Sequence, residues 1–259
     1  MRTLATISLA LGLALTGCAA GSSQAASRVP QLKVDVLGTL PHDTSAFTEG
    51  LEFSGGLLYE STGLEGHSEV RAALAGQPPS VRAAIPAPLF GEGITVTGGV
   101  LWQLTWRDGV AIARDPRTLA EQRRVTYQGE GWGLCHQDSG RLVMSNGSDR
   151  LTFRDPVTFA PLGEVTVHSG GETYDQLNEL ECVGGTVYAN VWQTGRILRI
   201  DAATGEVTGI IDASGLLTPE QQAHADVLNG IAAVPGTDEF LVTGKLWPTM
   251  FRVKFVGTS

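Results

Sequence analysis

The chain has 259 residues, a formal net charge of −9 at pH 7 and 33 glycines. The negative charge argues against a nucleic-acid partner, because binding to phosphates requires a surplus of Lys and Arg. Many Val, Leu and Thr residues and few helical patterns favour an all-β protein, and beyond the N-terminal segment no apolar stretch is long enough for a membrane-spanning helix.

Residues 1–18 have the features of an export signal. Arg2 is the basic start, and the apolar stretch 4–15 is too short to span a bilayer as a stable helix. The segment ends in Leu-Thr-Gly-Cys, which resembles the lipobox of bacterial lipoproteins, in which the cysteine, here Cys18, is lipidated and becomes the mature N-terminus. A signal peptide cut at another position is the alternative.

Residues 19–30 are rich in Ala, Ser and Gly and predict a flexible tether. Residues 31–259 remain as one domain. This organisation predicts an exported, extracytoplasmic protein of the bacterial cell membrane that meets the membrane only through a lipid anchor.

Five short segments repeat along the domain, at residues 47–53, 90–95, 129–134, 177–183 and 228–234. Aligned on Gly50, Gly93, Gly133, Glu179 and Gly230, they are 43, 40, 46 and 51 residues apart. Each is followed by a turn and a β-rich run. A period of about 40 to 50 residues with several short strands per unit is typical of a β-propeller. The repeat therefore predicts five blades whose equivalent positions face one central channel.

Three further elements are predicted outside the repeats. Residues 33–37 and 251–255 both alternate as strands do, and terminal strands often complete one propeller blade, so we expect the chain ends to share the last blade. Residues 219–224 predict a short helix over one face, with Thr218 as the N-cap.

Cys135 and Cys182 occupy nearly matching places after the third and fourth repeat segments. Because an exported protein normally pairs such cysteines, we expect a disulfide between them, the alternative being two buried thiols. The five histidines are scattered without the spacing of zinc ligands.

The repeat segments and the strands that follow them carry the residues with chemical potential. These are Glu49, Glu92, Trp106, Glu130, Trp132, Asn178, Glu179, Trp192, Asn229 and Lys245. No nucleophile motif, phosphate loop or dinucleotide fingerprint is present. The set offers a carboxylate for proton transfer, aromatic walls and donors that polarise a carbonyl. The alternative for each tryptophan is a core-filling role.

Nine motifs run in order from about residue 45 to 250: FTEGL at 47–51, LYESTG at 58–63, FGEGIT at 90–95, LWQLTW at 101–106, GEGWGL at 129–134, LNELE at 177–181, YANVW at 188–192, VLNGI at 227–231 and TGKLWP at 243–248. Through them the chain resembles the plant and bacterial type of glutaminyl-peptide cyclotransferase. The resemblance implies a five-bladed propeller that cyclises an N-terminal glutamine to pyroglutamate with release of ammonia.

The resemblance also implies roles for particular residues. Glu92 falls on the position of the catalytic acid/base, and the pocket-lining positions are Phe47, Glu49, Trp106, Trp132, Asn178, Trp192 and Lys245. Some family members have Gln where this chain has Glu49. Members can also hold a calcium ion in the channel through oxygen ligands. The sequence does not locate a metal site, and we treat such an ion as structural.

The chemistry agrees with the residues themselves. The α-amine of the substrate attacks its own side-chain amide, so a carboxylate such as Glu92 has only to move protons. Asn178 and Lys245 would hold the amide oxygen as it gains negative charge. This scheme requires no cofactor and predicts a monomer that acts on peptides or proteins with N-terminal Gln.

Two other functions remain as alternatives. A calcium-dependent, lactonase-like hydrolase would use Glu49, Asn178 and Asn229 as ligands but leaves the Trp and Lys positions unexplained. A non-catalytic surface propeller that binds peptide N-termini would be expected to have lost Glu92, which is present.

Overall fold

The computed structural model describes residues 29–258. The predicted signal peptide, its lipidation site Cys18 and most of the predicted tether therefore lie outside the described residues. No helix in the described part of the chain is long and apolar enough to cross a membrane.

The described chain consists of β-strands and one short helix. The strands of the first half are β1 (Gln31–Pro41), β2 (Thr48–Ser54), β3 (Leu57–Thr62), β4 (Glu69–Ala73), β5 (Val81–Ala84), β6 (Gly91–Thr97), β7 (Val100–Thr105), β8 (Val110–Arg114), β9 (Glu121–Thr126), β10 (Leu134–Gln137) and β11 (Arg141–Met144). Those of the second half are β12 (Arg150–Arg154), β13 (Pro161–Thr166), β14 (His168–Ser169), β15 (Glu172–Thr173), β16 (Leu177–Val183), β17 (Thr186–Val191), β18 (Arg196–Asp201), β19 (Val207–Asp212), β20 (Leu228–Ala233), β21 (Phe240–Gly244) and β22 (Thr249–Gly257), with helix α1 (Pro219–Gln222) before β20.

Three sheets have four antiparallel strands each, in chain order: β2 to β5, β6 to β9 and β10 to β13. A larger sheet has eight strands in the order β16-β17-β18-β19-β1-β22-β21-β20, and β14 and β15 form a small ribbon. Short strands joined by tight turns follow from the period-2 alternation and the Gly-rich turns of the sequence. The all-β prediction is confirmed.

Strand β1 joins the two halves of the eight-stranded sheet. It runs antiparallel to β22, with Val34 opposite Phe255, and parallel to β19, with Leu32 opposite Ile211. The predicted pairing of the two ends of the domain is therefore confirmed. Pairing on both sides removes the edges that β19 and β22 would otherwise expose.

Five strands form a closed ring: the first strand of each four-stranded sheet and the two end strands of the eight-stranded sheet, β16 and β20. β2 contacts β6, β6 contacts β10, β10 contacts β16, β16 contacts β20, and β20 contacts β2. Most residues of four of these strands are buried, namely those of β2, β6, β16 and β20. The outer strands β9 and β13 are mostly exposed. The ring therefore lies at the centre of the molecule.

Apolar side chains fill the spaces between neighbouring units. Between the second and third sheets, Trp102 and Leu104 of β7 pack with Leu134 and Leu142 of the third sheet. Equivalent clusters fill the other four spaces around the ring. Complete burial of one such aliphatic side chain stabilises a fold by about 1.5–3 kcal/mol, so these clusters hold the units together.

The other two local predictions are also confirmed. Cys135 on β10 and Cys182 on β16 form a disulfide across two neighbouring units, with their Cα atoms 5.5 Å apart. Helix α1 begins after Thr218, whose hydroxyl accepts from the Gln221 backbone N–H (3.3 Å) while the Gln221 side chain accepts from the Thr218 N–H (3.0 Å). The helix ends at Gln222, earlier than the predicted residue 224.

Candidate active site

A β-bulge recurs at the same place in four strands of the ring. On β6, Gly91 pairs with Thr105 and Ile94 with Gln103, so that Glu92 and Gly93 stand opposite one residue of β7. The matching bulges lie at Glu49 on β2, at Asn178 and Glu179 on β16, and at Asn229 and Gly230 on β20. An extra residue breaks the alternation of side chains and re-aims them. The bulges thus turn polar side chains of the repeat segments toward the centre.

Two of the repeat glycines allow the ring to be this narrow. A Cβ atom on Gly93 would lie 2.6 Å from the carbonyl oxygen of Trp132, and one on Gly133 would lie 2.2 Å from that of Asn178. Both distances are well inside van der Waals contact, so only glycine lets these backbones approach so closely.

Glu179 occupies the aligned position of the fourth segment, where the other four segments have glycine. At three of those glycines, Gly50, Gly93 and Gly133, a Cβ atom would lie within 3 Å of a neighbouring backbone. It is 2% exposed, and its two carboxylate oxygens accept the backbone N–H groups of Leu51 (3.2 Å) and Ile231 (2.8 Å). Burial raises its pKa well above the usual value of 4.5. Glu179 therefore crosses the ring and joins β2 to β20; it does not line the cavity described next.

A cavity of about 540 Å³ opens at one end of the ring. Its walls include all eight of the catalytic and substrate-binding residues predicted from the sequence: Phe47, Glu49, Glu92, Trp106, Trp132, Asn178, Trp192 and Lys245. Trp106, Trp192 and Lys245 each follow the last residue of the second strand of their unit, β7, β17 and β21. Equivalent positions in different units thus converge on one site.

Lys245 and Glu49 form a buried ion pair in this cavity. The Lys245 Nζ atom lies 2.6 Å from Glu49 Oε1 and 4.5 Å from the centroid of the Phe47 ring. The other oxygen of Glu49 accepts from Asn229 Nδ2 (3.2 Å). Burial raises the pKa of Glu49 to about 7, although the charge of Lys245 opposes this. Asn229 thus supports Glu49 from behind the cavity wall.

Glu92 is a buried carboxylate of the site that forms no ion pair with the described residues. It is 5% exposed, and its Oε2 atom has no hydrogen-bond partner among the described residues. Burial raises its pKa well above 4.5, repulsion from Glu49 and Glu130 adds to the rise, and Lys245 opposes it. A carboxyl group with a raised pKa holds a proton more readily than an ordinary glutamate and can both accept and return one.

Glu130 ties together one aromatic wall. Its Oε2 atom accepts the indole N–H groups of Trp106 (2.9 Å) and Trp132 (3.0 Å), and its Oε1 atom accepts from Arg107 Nε (3.2 Å). Burial would raise the pKa of Glu130, but these three hydrogen bonds outweigh it and lower the pKa. Trp132 in turn meets Trp192 edge to face, with ring centroids 5.7 Å apart.

The two remaining tryptophans, Trp102 and Trp247, are buried and belong to hydrophobic clusters. These two tryptophans fill the core, whereas the three for which a core-filling role was the alternative, Trp106, Trp132 and Trp192, line the cavity.

Five wall residues were not predicted: Phe90, Arg107, Gln193, Asp226 and Val227. Phe90 lies in the FGEGIT motif, and Arg107 and Gln193 directly follow Trp106 and Trp192. Position next to a predicted residue was the available signal for these three. Val227 is the first residue of the VLNGI motif, and Asp226 directly precedes that motif.

A calcium site does not fit the residues of this region. Calcium takes about six to eight oxygen ligands, carboxylates prominent among them. Glu49 is paired with Lys245, and Glu179 is used by two backbone amides. Among residues 29–258, no three or more His, Cys, Asp or Glu side chains are grouped so that they could hold a metal ion. The chemistry proposed below is therefore assigned to side chains of the cavity.

A family model described as glutamine cyclotransferase matches residues 9–255. The chain belongs to the glutamine cyclotransferase family. It is 36% identical over 233 residues to glutaminyl-peptide cyclotransferase of Arabidopsis thaliana, a match that covers 88% of this chain and 72% of that protein. The crystal structure of Myxococcus xanthus glutaminyl cyclase is similar, with a TM-score of 0.80 and 38% identity over 90% of this chain and all of the other. These matches confirm the family that was predicted from the sequence.

Proposed function

We propose that this protein cyclises the N-terminal glutamine of peptides and proteins to pyroglutamate and releases ammonia. The observation that carries the proposal is the convergence of Glu92, Lys245, Asn178 and the aromatic positions of the family motifs on one cavity. Family membership and the names of the two relatives support it.

In the proposed reaction the α-amine of the substrate forms a bond to its own side-chain amide carbon. The bond from that carbon to the amide nitrogen then breaks. Glu92 takes a proton from the attacking amine and returns it to the departing nitrogen, which leaves as ammonia. Both reacting groups belong to one residue, so holding that residue folded supplies much of the rate through proximity. Glu92 lines the cavity, and its Oε2 atom has no hydrogen-bond partner among the described residues, so the carboxylate is free to receive the proton.

Lys245 and Asn178 are proposed to stabilise the amide oxygen as it gains negative charge. The ammonium group of Lys245 is buried at the cavity wall and held by Glu49, so little rearrangement is needed when the charge develops. Asn178 is 2% exposed and also lines the cavity. We therefore assign Glu49 two roles, contact with the substrate and positioning of Lys245.

The aromatic side chains are proposed to enclose the glutaminyl residue and to exclude water from it. Phe47 and Trp106 both pack against Phe90, with ring centroids 6.2 and 5.5 Å apart. Trp132 and Trp192 form a second aromatic pair, which Glu130 joins to Trp106. A surrounding of this kind strengthens the electrostatic effect of Lys245 and maintains the raised pKa of Glu92.

We also propose that the architecture is a five-bladed propeller. Three blades are the four-stranded sheets, and the other two are the halves β16 to β19 and β20 to β22 with β1 of the eight-stranded sheet. The closed ring of five inner strands and the five apolar clusters between units support this reading. Export, lipid attachment at Cys18 and a monomeric state remain proposals from the sequence.

The test is ammonia release from glutaminyl-glycine amide by the purified protein, beside Glu92→Gln and with excess EDTA. We expect turnover in the presence of EDTA, and a fall in kcat of about 10²–10⁴-fold in the variant, because glutamine keeps the shape but cannot accept the proton. The matched control is Glu164→Gln, on the outer strand β13, with unchanged turnover. The assignment of Glu92 is wrong if its variant loses less than about tenfold.

A further inference from the structure

A second cavity, of about 230 Å³, adjoins the first. The two share Gln193, Asp226 and Val227 in their walls. A substrate peptide that leaves the first cavity over these three residues therefore enters the second cavity. No predicted role involved this space.

The shared wall is attached to the backbone of Lys245. The Asp226 N–H donates to the Lys245 carbonyl, and the Lys245 N–H donates to the Val227 carbonyl, both at 2.9 Å. Trp247, two residues further on, is 4% exposed and donates its indole N–H to the Asp226 carbonyl (2.8 Å). The TGKLWP motif thus supplies Lys245 to the first cavity and Trp247 to the second.

The far side of the second cavity is formed by the segment before helix α1. Leu216 and Leu217 line it together with Leu228 and Trp247, which form an apolar part of its wall. Thr194, Ser214 and Gln222 are among its polar lining residues. Thr218 caps the helix through its capping box, and the Ala213 N–H donates to the Gly195 carbonyl (2.8 Å). These contacts hold the segment in place.

The occupant follows from the reaction. Only the first residue of the substrate reacts, so the second and third residues have to leave the first cavity through its opening. We propose that the second cavity is a subsite for an apolar side chain on one of the two residues after the glutamine. This proposal rests on the proposed function and names the peptides that it would favour.

The test compares three peptide amides, Gln-Gly-Gly, Gln-Leu-Gly and Gln-Gly-Leu, by ammonia release. We expect kcat/KM for one leucine peptide to exceed that for the glycine peptide about tenfold, the low end of what an apolar pocket discriminates. The difference should lie in KM, because a contact distant from the reacting atoms binds the ground state and the transition state alike.

Leu216→Asp places a charge in the second cavity and should reduce this ratio to about one. Leu216→Ala should also lower it and replaces the aspartate variant if that variant does not fold. The control Leu162→Asp changes a leucine that is 57% exposed on β13 and should keep the wild-type ratio.

The outcomes separate the two proposals. Equal kcat/KM for all three peptides overturns the subsite alone, as does a leucine preference that persists in both Leu216 variants. Absence of ammonia from all three peptides overturns the proposed function, and the subsite with it.

Discussion

Replacement of Glu179 by alanine tests how the ring of inner strands is closed. The carboxylate accepts one backbone N–H from Leu51 on β2 and one from Ile231 on β20. Alanine leaves both donors buried without a partner, at a cost of about 1–3 kcal/mol each. The free energy of unfolding should therefore fall by about 2–6 kcal/mol, a large share of the 5–15 kcal/mol or so that is typical of folded proteins.

The assay is urea unfolding followed by tryptophan fluorescence, with ΔG obtained by linear extrapolation. Glu179→Gln keeps one acceptor and should lose less than the alanine variant. Glu172→Ala, at an exposed glutamate on β15, is the control and should stay within about 0.5 kcal/mol of the wild type. A loss below about 1 kcal/mol in Glu179→Ala would refute the bridging role of this carboxylate.

Three further predictions concern the site and the fold. Glu130→Ala removes the carboxylate that accepts the indole N–H groups of Trp106 and Trp132 and should lower kcat/KM about tenfold or more. Glu130→Gln should recover part of this loss. Unchanged steady-state kinetics in Glu130→Ala would contradict a role of Glu130 in positioning these tryptophans. Serine at both Cys135 and Cys182, which are 47 residues apart, should lower the free energy of unfolding by roughly 4 kcal/mol in urea, on the chain-entropy account; no change would argue against it. Burial raises the pKa of Glu52 from 4.5 to about 7, so its contribution to stability is complete below pH 4.5 and is lost as the pH rises through 7. The free energy of unfolding should therefore fall less between pH 5 and 8 in Glu52→Gln than in the wild type, and equal falls would sink this explanation.

Local motifs were enough to find most of the site. The repeat spacing identified the equivalent strand in each successive repeat. Residues at equivalent positions of these strands face the same centre. For this reason Glu92, Trp106, Trp192 and Lys245 could be assigned to one cavity without any contact being known. The pairing of the chain ends followed from the alternation of the two terminal strands, and that of Cys135 with Cys182 from their matching places in neighbouring repeats of an exported protein.

The sequence by itself determined the strand pattern, the closing pair of terminal strands and most of the side chains that meet at the cavity. Only the tertiary structure decided which of two neighbouring polar side chains points into the cavity and which points away from it. At Asn178 and Glu179 a bulge sends one side chain to the cavity and the other across the ring. The pair Lys245 and Glu49 is separated by 196 residues, and the second cavity forms where segments distant in the chain meet. Such contacts depend on where whole units pack, and local sequence preferences do not carry that information.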